Sequence, residues 1–100
     1  MRNRSLDLLQ KWYLDQCDGD WEHEFGVKID TLDNPGWKVN IDLVDTDLEG
    51  KNFSEICWEK NEQNWVQCDV KKCQFQGAGG SQNLNDIIEI FLNWAQEGNL

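Results

Sequence analysis

Apolar and polar residues recur along this chain with two different periods, and the change of period marks out its elements. Leu6, Leu9, Tyr13 and Cys17 fall on one helical stripe, with Leu14 beside it and Leu8 and Trp12 widening the apolar face. Ser5 is placed to cap this helix, and Asp7 suits the positive end of its dipole. The helix should stop near Cys17-Asp18-Gly19, because Gly19 accepts the left-handed conformation that often ends helices. From Trp21 the period becomes two. Trp21, His23, Phe25, Val27 and Ile29 face one way, and Glu22, Glu24, Lys28 and Asp30 the other. This pattern predicts a strand with one buried and one wet face, with Gly26 at a bulge or a close approach. Asp33-Asn34-Pro35-Gly36 is a turn, since proline presets one dihedral and glycine supplies a positive one. Trp37, Val39, Ile41 and Leu43 then alternate with Lys38, Asn40 and Asp42, so the two runs pair as an antiparallel hairpin.

The remainder reads as an acidic loop over 44–52 and a short strand over 55–59 with Ile56 and Trp58 inward. A polar turn over 60–64 leads to a strand over 65–70, with Val66, Cys68 and Val70 inward and Trp65, Gln67 and Asp69 outward. Lys71-Lys72 makes a turn and 73–76 a closing strand. Gly77-Ala78-Gly79-Gly80 reads as a flexible hinge. Asn83 caps a last helix, with Asp86 three residues on. Leu84, Ile87, Ile88, Phe91, Leu92 and Ala95 form its stripe, Ile90 and Trp94 broaden it, and Gly98 ends it. The expected fold is α+β in one domain over 1–100. An antiparallel meander of about five strands has its N- and C-terminal helices packed on one face and its other face open.

Composition narrows the function classes. Nineteen acids against nine bases give a formal charge of −10. Such a charge repels nucleic acid and anionic membranes and attracts basic partners. Six tryptophans and 39% apolar content set the chain apart from a disordered acidic tail. No apolar run is long enough to span a bilayer, and Arg2 and Arg4 are followed by no secretory h-region. A cytoplasmic chain with four reduced cysteines is the expectation.

Candidate chemistry is sparse. Cys68 and Cys73 are spaced more widely than a C-x-x-C pair, and Cys17 and Cys57 lie far away in sequence, so core packing explains the cysteines better than a metal. Asp45-x-Asp47-x-Glu49-Gly50 copies the first half of a calcium loop, but Ile56 occupies the place of the closing bidentate acid. Cys17 and His23 would need an orienting third group to act as nucleophile and base, and none stands at a recognisable spacing. Gly77 to Gly80 lacks the Lys-Ser/Thr of a phosphate loop. No catalytic residue, cofactor or metal is therefore assigned. Protein binding remains. The acids Asp18, Asp20, Glu22, Glu24, Asp42, Asp45, Asp47 and Glu49 are suited to steer a cationic partner, and an outward Trp65 is suited to anchor one.

Several motifs carry a resemblance. Trp12-Tyr13, Cys17-Asp18-Gly19-Asp20-Trp21-Glu22-His23 and Leu32-Asp33-Asn34-Pro35-Gly36-Trp37 resemble the immunity protein 53 family of bacterial polymorphic toxin systems. So does Gly79-Gly80 followed by a helix ending in Phe91 and Trp94, and the likeness covers nearly the whole chain. It implies a small intracellular inhibitor, which agrees with the sparse chemistry of a non-enzyme and the cytoplasmic character read above; a monomer or weak homodimer is expected. Such a protein binds a cognate toxin encoded beside it one to one. A basic nuclease is a toxin class that would suit the acidic chain. The competing reading is a small cysteine- and histidine-based thiol or metal-binding protein.

Overall fold

The computed structural model describes residues 3–97. Its elements are α1 (Arg4–Gln16), α2 (Trp21–Glu24), β1 (Val27–Leu32), β2 (Gly36–Asp42), β3 (Ile56–Asn61), β4 (Asn64–Lys71), β5 (Gln74–Gly80) and α3 (Leu84–Gln96). All five strands form one antiparallel sheet in the order β1-β2-β5-β4-β3. The fold is α+β, as the alternating periods imply. The β1–β2 hairpin and the β3–β4–β5 meander are joined by the long connection 43–55. That connection carries the chain from β2 to the far edge, so that β5 returns to lie between β2 and β4.

The centre of the sheet is shaped by missing side chains. Gly77 and Gly79 of β5 face α3, and a Cβ on Gly77 would stand 2.5 Å from Ile87 Cγ2. A Cβ on Gly79 would press on Ile87 Cδ1 and Asn83 Cβ, both at 3.1 Å. Residues 77–80 are therefore not a hinge. They are a paired central strand on which α3 lies close, and Gly77, Gly79 and Gly80 are buried. The sequence pattern missed this because glycine carries no alternation signal.

Against that strand α3 buries Ile87, Ile88, Phe91, Leu92, Trp94 and Ala95. The sheet contributes Val39, Ile41, Val66, Cys68 and Phe75, each fully buried. α1 packs mainly on α3, with Leu9 buried and the Trp12 ring edge-on to Phe91 at 5.0 Å. The 43–55 connection closes the other side. Leu48 is buried, and Phe53 packs edge-on to both Phe75 and Trp94. α3 has no basic residue in its last turn. Lys51 supplies one from the connection, donating to the carbonyls of Trp94 (2.7 Å) and Glu97 (2.5 Å), where the helix dipole favours a cation. The Trp94 indole N–H returns a bond to the Asn52 carbonyl at 2.7 Å.

Local chemistry overrides the period-two pattern at 21–25. Asp18 Oδ1 accepts from the N–H groups of Asp20 (2.9 Å) and Trp21 (3.0 Å), and Glu22 folds back onto Asp18 and Gly19. These side-chain bonds hold a helical turn where alternation predicted strand. The strand starts only at Val27, and His23 is exposed rather than inward. Other boundaries also move. Asn3, not Ser5, caps α1 by accepting from Leu6 N–H at 3.0 Å. The β4–β5 turn is Lys72-Cys73, both at positive φ (54° and 58°), so Cys73 is a partly buried turn residue and not a strand residue. Asn83 stands at the N-cap of α3, but its amide bridges Asn64 (2.9 Å) and Asp86 (2.8 Å) and makes no cap bond. Ile29 faces the helix side, yet it is 39% exposed, because α1 rests on α3 and leaves β1 uncovered. The expected stop at Gly98 lies outside the described residues.

Gly77→Ala should destabilise the fold by about 1–3 kcal/mol through overpacking beneath Ile87. Gly26→Ala, where a Cβ meets nothing within 4 Å, should stay within about 0.5 kcal/mol of the parent. Urea unfolding of both variants measures the difference.

Candidate protein-binding surface

The structure gathers eight of the nine predicted site residues at one end of the molecule. α2 is tied to the connection by the Trp21 indole N–H, which donates to the Val44 carbonyl at 2.8 Å. β1 is tied to β2 at the same end. Gly26 N–H donates to Asp42 Oδ2 at 3.0 Å, and Asp42 N–H donates to the Gly26 carbonyl at 3.1 Å. Asp18, Asp20, Glu22 and Glu24 thus come to the same end as Asp42, Asp45, Asp47 and Glu49. Trp65 does not join them. It is partly buried at the start of β4, beside Asn83 and across from Glu59, while Asp42 ends β2 at the other end of the sheet.

The acids divide by what they hold. Asp18, Glu22, Asp42 and Glu49 each bind local backbone N–H groups: Asp20 and Trp21, Asp18 and Gly19, Gly26, and Asp45 respectively. Asp42 also accepts from Gln74 Nε2 at 3.0 Å. These four build the surface as well as charge it. Asp20, Glu24, Asp45 and Asp47 are exposed, and their carboxylates hold no partner among the described residues. The ion pairs among the described residues, the exposed Lys11–Asp15 and Lys71 with the half-buried Asp69, offset little of the charge.

Hydrogen bonds move some of these carboxyls. The N–H groups of Trp21 and Asp20 hold Asp18 below the usual carboxylate range. Glu22 is also held low, by its own N–H and then by those of Asp18 and Gly19. Around Cys73 the effect is reversed. Burial first, then Glu49 by charge and hydrogen bond, then Asp45 and Asp42, push that thiol up.

The cysteines and the histidine do not assemble. All four cysteines are free, and no group of three or more His, Cys, Asp or Glu among the described residues is placed to hold a metal ion. Burial pushes Cys68 up to about 12, which keeps it protonated and unreactive at neutral pH. Cys17 Sγ donates to the Tyr13 carbonyl at 3.3 Å, and His23 stands on the exposed side of α2.

Two further surfaces flank the acidic end. The open face of the sheet is a polar bed, with a depression of about 190 Å³ lined by Lys38, Asn40, Gln67, Asp69, Lys71 and Gln76. At its centre the buried Asn40 Oδ1 has no hydrogen-bond partner. On the helix side, Leu9, Gln10, Tyr13, Phe25, Gly26 and Val27 line a groove of about 330 Å³ between α1 and β1. Sequence reading missed that groove. Its signal was present in α1, whose apolar residues cover more of the helix than one neighbour can bury: Leu6, Tyr13 and Leu14 all remain exposed.

Taken together, the fold presents a densely charged end and two open surfaces. The chain belongs to the immunity protein 53 family, whose model matches residues 6–96. Membership implies a toxin-neutralising role through binding of a cognate toxin protein. No curated protein and no solved structure matches the chain. Among the described residues, no helix is long and apolar enough to cross a membrane.

The lowered carboxyls give the acidic turn a pH dependence of definite sign. Their stabilisation is full above the unfolded-state values of about 4 and is lost as pH falls through the lower folded values. The Gly19 and Trp21 amides should therefore lose protection relative to their intrinsic exchange rates below about pH 4, while the β5 amides keep theirs. Asp18→Asn should flatten that response, and NMR amide exchange across a pH series reads it.

Proposed function

We propose that this protein neutralises a toxin domain made in the same bacterium by stoichiometric protein–protein binding, in the cytoplasm and without catalysis. The family match over residues 6–96 carries this reading, because it takes in all of the fold but the first two residues of α1. The electrostatics support it. A chain of charge −10, with Asp20, Glu24, Asp45 and Asp47 unpaired among the described residues at one end, presents a field that steers a basic partner. A basic toxin such as a nuclease, whose active site must attract phosphate, has the complementary charge. The preformed sheet suits an inhibitor that works by occupancy.

Co-expression with the toxin domain encoded beside this chain should restore growth, and a folded chain that leaves the toxin lethal would end the proposal. Neutralising Asp20→Asn, Glu24→Gln, Asp45→Asn and Asp47→Asn together should slow association at least about tenfold at low salt and leave dissociation nearly unchanged. Asparagine at position 45 also tolerates that residue's positive φ of 62°. Stopped-flow association at two ionic strengths checks it. A rate equal to the parent's at low salt would remove these acids from steering.

A further inference from the structure

The uncovered edge of the sheet is built to receive a strand. Gly26 and Asp42 form a hydrogen-bonded position at the start of the β1–β2 ladder. Antiparallel ladders alternate, so Lys28, Asp30 and Leu32 spend their backbone groups on β2. Val27, Ile29 and Thr31 turn their N–H and C=O groups outward, to an edge that no other strand among the described residues covers. Their side chains lie on the helix side, beside the groove formed by Leu9, Tyr13 and Phe25. Leu6, Tyr13 and Ile29 remain exposed, all on α1 or β1. Unpaired backbone groups therefore run along β1, and the apolar groove opens at its start, where Val27 lines it.

The opposite edge is closed to such pairing. β3 carries a register break between Glu59 and Asn61, and Lys60 lies over the Trp58 ring at 5.7 Å. Bulges and charges of this kind are how sheet edges avoid pairing. β1 runs through six paired positions with no break.

Charge selects the occupant. Glu22 and Glu24 precede β1, Asp33 follows it and Asp30 lies within it, against Lys28 alone as a base on that strand. A second copy of the chain would bring another charge of −10 to the same place. A cationic segment gains where a copy would be repelled.

Resting on the toxin-binding reading above, we infer that an extended segment of the basic toxin docks along β1 as a sixth strand. Its alternate apolar side chains fill the α1/β1 groove, and lysines or arginines between them meet the surrounding acids. Main-chain bonds to Val27, Ile29 and Thr31 give the affinity, and the groove sets the register.

Thr31→Pro tests this directly, because it removes an outward N–H without touching the internal ladder. Ile29→Lys is the companion, placing a cation where the basic segment must bury an apolar side chain. The probe is the catalytically silenced toxin domain encoded beside this chain, titrated by calorimetry. Each variant should weaken Kd at least about tenfold while circular dichroism and the unfolding midpoint stay near the parent's. If Thr31→Pro fails to fold, Ile29→Lys decides alone. Parent-like affinity in a folded variant, or a loss caused instead by Trp65→Ala, would overturn the edge as the docking site and leave the neutralising role standing. A parent chain that does not bind the toxin at all would sink the role itself. A chain that is dimeric alone and becomes monomeric with Thr31→Pro would assign the edge to a second copy and overturn the inference.

Discussion

The close contact of α3 with a strand almost devoid of side chains governs this structure. Gly77 and Gly79 let Ile87 descend onto β5, and added methyls there would collide with it. With α3 seated over the middle of the sheet, its buried residues reach β2, β4 and β5 at once. α1 then finds its apolar support on α3, and the 43–55 connection wraps the remaining side with Leu48 and Phe53. Lys51 completes the arrangement by supplying the cation that the C-terminus of α3 lacks.

The binding surfaces follow from that seating. Two terminal helices could have covered the sheet from edge to edge. Because α3 takes the centre and α1 leans on it, β1 keeps its helix-side face open, with Ile29 exposed and a groove beside it. The acidic end has a different origin. Trp21 pins α2 to Val44 and Gly26 pairs with Asp42, and these bonds bring two acidic stretches that are distant in sequence to the same end of the molecule. Several of those acids also close the turns that carry them, so charge and local structure depend on the same carboxylates.

Much of this architecture is legible in the sequence, for physical reasons that differ by element. The hairpin reads correctly around Asp33-Asn34-Pro35-Gly36 because proline presets the turn and Val39 and Ile41 need burial, but Gly36 takes no positive φ: it begins β2 opposite Leu32, where a Cβ would collide with the Gly79 carbonyl. α3 reads correctly because its stripe is broad and continuous. α2 is misread because Trp21, His23 and Phe25 alternate like a strand, while Asp18 and Glu22 bind the backbone N–H groups that favour a turn. β5 is truncated in the sequence reading because burial there is achieved by glycine, which hydrophobic patterning cannot register. The candidate acids are legible as residues, but their grouping is not. Their convergence, and the separation of Trp65 from them, depend on the order β1-β2-β5-β4-β3, which no local pattern encodes.

The most direct measurement is amide hydrogen exchange of the chain alone and bound to its cognate toxin domain. Binding along the uncovered edge should slow the outward amides of Val27, Ile29 and Thr31 in the complex. The β5 amides, already protected in the free protein, should change little. A complex in which those three amides exchange as freely as before, with new protection confined to β3, β4 or the open face of the sheet, would contradict it.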